Sequence, residues 1–253
     1  MPCHTRSRRI HLIALLALLC SGVLRAQNVS EQYLLAAANQ DRVAHQLPAL
    51  RVDDHLALAA RTHAYSMADH GTISHQFDGE ADLATRAGDS GAHFSLVTEN
   101  VAEASNAAQI HDLWMNSPGH RANLLDPKVD SVGIAVVQKH GQLYAVEDFA
   151  RTVAKLSIDQ QEATVGNLLT ASGIVLNGNK ADARQTCTMS TGYIGSRQPT
   201  FVMRYSSSSL DRLPPELTAR LATGKYHQAI VGACVTGNQT AFTTYNLAVM
   251  LFP

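Results

Sequence analysis

The chain has 253 residues, 45 % of them hydrophobic and 16 % charged, enough for one large or two modest globular domains and unlike a disordered polymer. Its 20 basic and 21 acidic residues leave a formal charge of −1, so nothing in the bulk balance recruits nucleic acid or an anionic surface.

Residues 1–26 differ from the rest. Arg6, Arg8 and Arg9 precede an apolar run over 10–20, and Leu24-Arg25-Ala26 resembles a cleavage site. This pattern reads as a secretory signal peptide, since the run is too short for a comfortable membrane span. A lipid anchor at Cys20 is disfavoured by the bulky Leu19 before it. Removal of the leader takes Arg6, Arg8, Arg9 and Arg25 away and leaves 16 basic against 21 acidic groups, a formal charge of −5. Cys187 and Cys234 then remain, an even pair that reads as one disulfide in an exported protein, with two buried thiols as the alternative. Closing so long a loop is worth about 4 kcal/mol on the chain-entropy model. Asn28-Val29-Ser30 and Asn238-Gln239-Thr240 fit glycosylation sequons.

In chain order, Ser30 is placed to cap a helix from Glu31, with Leu34, Leu35, Ala38 and Val43 as its buried stripe and Pro48 as its end. Asp53 caps a second helix whose positions Leu56, Ala59, Ala60, His63, Ala64 and Met67 follow helical spacing, and Gly71 stops it. Residues 76–98 read as a loop with a helical piece near 83–86. Ser105 or Asn106 starts a helix to about Asn116, with Ile110, Leu113 and Trp114 inward. Ser117 and Pro118 then suit the cap and first position of a short helix that ends before Asp126-Pro127. Strands over 132–137 and 143–149 read as a hairpin. The first unit, 27–151, is thus expected to be an α/β fold, an α-β-α sandwich with an antiparallel sheet.

A boundary is expected near 151–156, with a smaller α+β module over 155–253. It has a helix over 159–171 capped near Ser157, a turn at Asn177-Gly178-Asn179, a proline-opened helix over 215–221, and strands over 200–205, 227–235 and 242–252. Cys187 precedes these strands and Cys234 lies within one. No internal repeat is visible, and no segment after the leader reaches transmembrane length.

Chemistry concentrates in three places: Ser74-His75, Glu99-Asn100, and the run 114–125 that contains Ser117 and His120. Two imidazoles and a carboxylate match the donors of many zinc sites, although 24 and 21 residues separate them and no local chelate exists. His120, early in its short helix, sits where the positive helix end disfavours imidazolium. Ser117, His120 and Glu99 can also be written as a hydrolytic relay, but Ser117 is better explained as a cap. Trp114 reads as core or cleft wall, and Arg121 and Asn123 as ties for the short helix. His63 reads as a satisfied core histidine. His70 and His93 have no recruiting partner, and His45, His55, His111, His140 and His227 read as surface residues.

These motifs resemble the CAP superfamily, in its bacterial secreted branch, which includes cysteine-rich secretory proteins, venom antigens and pathogenesis-related proteins. The resemblance spans roughly 31–150 and rests on Asn39, Arg42, Leu50, the second helix and the run 114–125. It implies a cleft in which two histidines and two glutamates meet and the histidines bind a divalent metal. His75 matches the first histidine, Glu99 the glutamate of the Glu-Asn motif, and His120 the second histidine. The second glutamate is replaced by Ser117, and the family's cysteine framework is absent from this region. The implied metal set is His75 and His120, with Glu99 as a further ligand or as a general base. Ser117, Asn100 and Trp114 would line the cleft.

Three functions follow as expectations. The first is an exported binding module, secreted or periplasmic, that takes zinc or another divalent metal, a small molecule or a lipid. The second is a metal-dependent peptidase or esterase. The third is a non-catalytic structural or interaction protein of the cell envelope.

Overall fold

The structure is a computed structural model that describes residues 28–235 and 241–253; the leader read over 1–26 and the sequon at Asn238 lie outside the described residues. Two four-stranded sheets carry the described fold.

Helix α1 (Val29–Ala44) starts two residues before the expected point. Asn28, not Ser30, caps it: its side chain accepts the Glu31 N–H while Glu31 accepts the Asn28 N–H, a reciprocal capping box. The inward stripe is also rotated from the expected one. Val43 is 62 % exposed and Arg42 is fully buried. Arg42 faces inward because it serves as a donor, its guanidinium reaching the carbonyls of Pro48, Leu124, Asp126 and Val129 at 2.8–3.2 Å.

After β1 (Arg51–Val52), α2 (Asp54–His70) follows the sequence pattern closely. Asp53 caps it and Gly71 ends it with a φ of 68°. Next come α3 (Leu83–Asp89), β2 (Phe94–Ala104), α4 (Ala107–Asn116), α5 (Pro118–Leu124), β3 (Ser131–Lys139) and β4 (Gln142–Thr152). Strand β2 corrects the loop expected over 76–98, because that reading ran past Phe94 into an eleven-residue strand. Leu113 of α4 is 52 % exposed rather than inward, since α4 turns only Ala107, Ile110, His111 and Trp114 toward its neighbours.

The first sheet has the order β1-β3-β4-β2, with β1 parallel to β3 and the other pairs antiparallel. Alternation along each strand sends successive side chains to opposite faces. Ala102, Ala104, Ile134, Ala145 and Phe149 pack with Leu34 and Ala38 of α1 and Ile110 and Trp114 of α4. Val101, Ala135, Tyr144 and Val146 pack with Ala60, Ala64 and Met67 of α2. The result is the expected three-layer α-β-α sandwich. Helix α2 sits so close that a Cβ on Gly133 would lie 2.1 Å from backbone atoms of Leu56 and Ala57, so only glycine fits.

The second sheet is built from α6 (Ile158–Ala171), β5 (Val175–Leu176), α7 (Lys180–Thr188), β6 (Phe201–Ser207), α8 (Pro215–Leu221), β7 (Gln228–Cys234) and β8 (Tyr245–Phe252). Helix α7 has no counterpart in the sequence reading. It is short and polar, buries only Ala183, Thr186 and Cys187, and carries Cys187 into a disulfide with Cys234 at the end of β7.

The strand order is β5-β7-β8-β6, which repeats the first sheet element for element. In each sheet a two-residue strand pairs parallel with the first strand of a hairpin. Its second residue meets Val132 in one sheet and Ala229 in the other, and these in turn oppose Phe149 and Leu251. A keystone recurs as well. In the first unit, Glu31 of α1 is fully buried and its Oε1 accepts the Val136 N–H at 3.2 Å and lies 3.1 Å from the Arg61 guanidinium of α2. In the second, Oε1 of the buried Glu162 in α6 accepts the Ala233 N–H at 3.1 Å and Arg184 Nε of α7 at 2.6 Å. Val136 and Ala233 stand four positions beyond Val132 and Ala229 in their strands. The recurrence lies in topology and in a buried glutamate paired with an arginine, not in residue identity, so no repeat shows in the sequence.

Candidate functional site

Strand β2 is an edge of the first sheet, and its adjacent residues Glu99 and Asn100 point to opposite faces. Glu99 faces the α2–α3 side. His75 approaches it from the loop after α2, with Nδ1 2.8 Å from Glu99 Oε1. Arg86 of α3 donates from Nη2 to Glu99 Oε2 at 2.6 Å and from Nη1 to the His75 and Ala81 carbonyls. Both oxygens of Glu99 are therefore engaged.

The loop that presents His75 is clamped from below. His63 of α2 is fully buried, with Nδ1 2.7 Å from Glu80 Oε1 and Nε2 2.6 Å from the Ser74 carbonyl. Glu80 Oε2 also accepts the Phe77 N–H at 3.0 Å. His63 thus ties both ends of the segment 74–80 to α2, and its Nε2 is 3.8 Å from Glu99 Oε2.

Asn100 serves the other face. It is fully buried and its Nδ2 donates to the His120 carbonyl at 3.1 Å. Asn123 of α5 donates to Asn100 Oδ1 at 3.0 Å and to the Glu99 carbonyl at 3.1 Å. These bonds fasten α5, and with it His120, against the edge strand. His75 and His120 so reach the same rim from opposite layers, near enough to interact electrostatically.

The two imidazoles differ. The hydrogen bond with Glu99 holds His75 above the usual histidine value, against an opposing effect of burial. Burial, and then the nearby His75, hold His120 below it. His120 moves in the expected direction, with burial and the second histidine as causes.

Behind each anchor lies a buried acid of β4. Asp148 pairs with Glu99 across the ladder and Glu147 pairs with Asn100. Both acids are fully buried, and among the described residues no carboxyl oxygen of either has a well-formed hydrogen bond. Burial pushes Glu147 up to about 8, with Asn100 opposing. Burial, then the neighbouring Glu99, pushes Asp148 well above its ordinary value, with Arg86 opposing. Burial thus disfavours the ionised form of both acids.

The remaining expected residues fall as follows. Trp114 is fully buried in the core with α1, so it backs the site without lining it. Ser117 occupies the cap position of α5, but its side chain makes no cap hydrogen bond. The relay Ser117–His120–Glu99 is not assembled, because Glu99 bonds His75 and Arg86. His111 is buried rather than superficial, 2.8 Å from Asp41 Oδ2. Among the described residues, no group of three or more His, Cys, Asp or Glu side chains is arranged to hold a metal ion, and no helix is long and apolar enough to cross a membrane. A cavity of about 500 Å³ lies apart from the two histidines, bordered by Thr85, His93, Gln161 and Thr243.

Arg86, Glu80, Glu147 and Asp148 were missed by sequence reasoning. A signal existed for the last two, which are adjacent acids inside an otherwise apolar strand.

The model of the cysteine-rich secretory protein family, CAP, matches residues 35–149. The uncharacterized protein YkwD of Bacillus subtilis is 27 % identical over 109 residues, which cover 43 % of this chain and 42 % of YkwD. The uncharacterized membrane protein YlbC of the same organism is 30 % identical over 118 residues, 46 % of this chain and 34 % of YlbC. The chain therefore spans less than half the length of either relative. Among solved structures, an extracellular Bacillus anthracis protein containing an SCP domain is 30 % identical with a TM-score of 0.47, covering 50 % of this chain and 41 % of that one. An outer surface protein of Borrelia burgdorferi is 22 % identical with a TM-score of 0.46, covering 49 % of this chain and 92 % of that one. Over residues 35–149 the first unit is thus similar to the cysteine-rich secretory protein (CAP) family.

Proposed function

We propose that this is an exported binding protein whose two histidines, His75 and His120, take a divalent metal ion such as zinc or a small polar ligand at the rim of strand β2. The observation that carries this reading is the linkage of His75 Nδ1 to Glu99, which holds a largely exposed ring by one nitrogen, with His120 near enough to interact with it electrostatically. An imidazole oriented by a carboxylate on one nitrogen is the common form of a metal-binding histidine. The neutral state favoured at His120 suits it to donate a lone pair. The Cys187–Cys234 disulfide supports export to an oxidising compartment.

The donor set fits an exchangeable ion better than a structural one. Structural zinc takes four protein ligands and catalytic zinc commonly three. Here the two histidines would hold the ion, and Glu99, already bonded through both oxygens, would orient His75 rather than ligate. When bound, such an ion supplies a Lewis acid with open positions for a ligand. Zinc titration of the metal-stripped protein by calorimetry, with the His75→Ala/His120→Ala variant alongside, tests the reading. One-to-one binding that the variant loses is expected. Equal heats from both proteins, or none from either, would abandon it for a purely structural polar cluster.

A further inference from the structure

The repeated scaffold provides a comparison within one chain. Register equates Glu99 with Val202, Asn100 with Met203, Glu147 with Val249 and Asp148 with Met250. All four of these polar strand positions are apolar in the second unit. Val249 packs with α6 residues on one face, and Val202 and Met250 pack with Ala183 of α7 on the other. The keystone glutamates Glu31 and Glu162, each with its arginine, are kept in both units. The frame is therefore retained where the polar layer is not.

This contrast bears on Glu147 and Asp148. Two fully buried carboxyl groups without well-formed hydrogen bonds weaken a fold, and apolar residues of similar volume often stabilise it. The second unit shows that this scaffold accepts such residues at both positions. Groups kept against the preference of the frame commonly serve function. Their placement is specific. Glu147 lies behind Asn100, which holds the His120 carbonyl. Asp148 lies behind Glu99, which holds His75 and is itself bonded by Arg86.

We propose that Glu147 and Asp148 are positioning residues of the His75/His120 site, one behind each histidine anchor, and that the second unit is a copy of the same scaffold without that site. The proposal rests on the imidazole-site reading above.

The test exchanges the acids for their counterparts, Glu147→Val and Asp148→Met, singly and together in the full chain. Three quantities are measured: the thermal midpoint, zinc affinity, and the ring resonances of His75 and His120 in the metal-free protein. The expected result is an unchanged or raised midpoint, zinc affinity lowered about 10- to 100-fold with both histidines intact, and shifted ring resonances. A midpoint that falls by several degrees would place the acids in the frame and overturn the proposal. So would a preserved midpoint with unchanged affinity and unchanged resonances. Should the parent protein bind no zinc, the metal reading fails by itself. The ring resonances then decide the positioning role, moving in the variants if it holds and staying fixed if it does not.

Discussion

His75 Nδ1 and Glu99 Oε1 are 2.8 Å apart, a bond that joins a largely exposed ring to a carboxylate only 5 % exposed. The bond makes protonation of His75 easier, and the protonated neighbour makes protonation of His120 harder. In the metal-free protein, His75 is expected to titrate above and His120 below the ordinary histidine value of about 6.5. Because the His75 value is raised on folding, its contribution to stability is complete below about pH 6.5 and is lost as pH rises through the folded value. NMR titration of the ring protons measures both groups. Glu99→Gln should bring His75 down, and a His75 that titrates below His120 would refute the pairing.

Gly133 and Gly232 face the second helix of their respective units at the same close range. A Cβ on Gly133 would lie 2.1 Å from Ala57 N and Leu56 C, and one on Gly232 would lie 2.2 Å from Ala183 C and Arg184 N. Backbone cannot rotate out of the way as a flexible side chain can. Gly133→Ala and Gly232→Ala are each expected to lose about 1–3 kcal/mol or more through overpacking. Gly119→Ala has open space around it and serves as the control. Urea unfolding of the three variants compares them. A Gly133→Ala midpoint equal to that of the control would show that α2 is not seated as described.

The parts of the fold that were legible in sequence are those whose caps and periodicity agree locally. Helix α2 has Asp53, Gly71 and a regularly spaced inward stripe, and the hairpin β3–β4 joins two β-rich runs across a turn at His140-Gly141. Strand β2 was obscured because Thr98, Glu99 and Asn100 place polar side chains in its middle, where site chemistry overrides strand patterning. His75, Glu99 and His120 were legible as a motif. The clamp of His63 on Ser74 and Glu80 was not, since it depends on how a loop folds back. The burial of His111 was hidden because its partner Asp41 lies on α1, seventy positions away. The scaffold repeat escaped notice because the contacts that persist, Glu31 with Arg61 and Glu162 with Arg184, are two pairs at different spacings.

Arg42 links the first helix to the position of His120. Its guanidinium bonds four carbonyls, and two of them, Leu124 and Asp126, lie at the end of α5 and just beyond it. Carbonyls at a helix C-terminus lack partners within the helix and favour a cation. Burial pulls the Arg42 value down and Asp126 opposes this, yet an arginine stays charged. Lysine has three donors without the planar fork, so Arg42→Lys leaves at least one of the four carbonyls unbonded, at about 1–3 kcal/mol for each buried group so stranded. A lowered urea midpoint is expected, together with faster amide hydrogen exchange over residues 118–130. Exchange in α2, which Arg42 does not touch, should be unchanged below the global unfolding limit. Uniform acceleration across both helices would mean that Arg42 supports overall stability alone and does not seat the helix that carries His120.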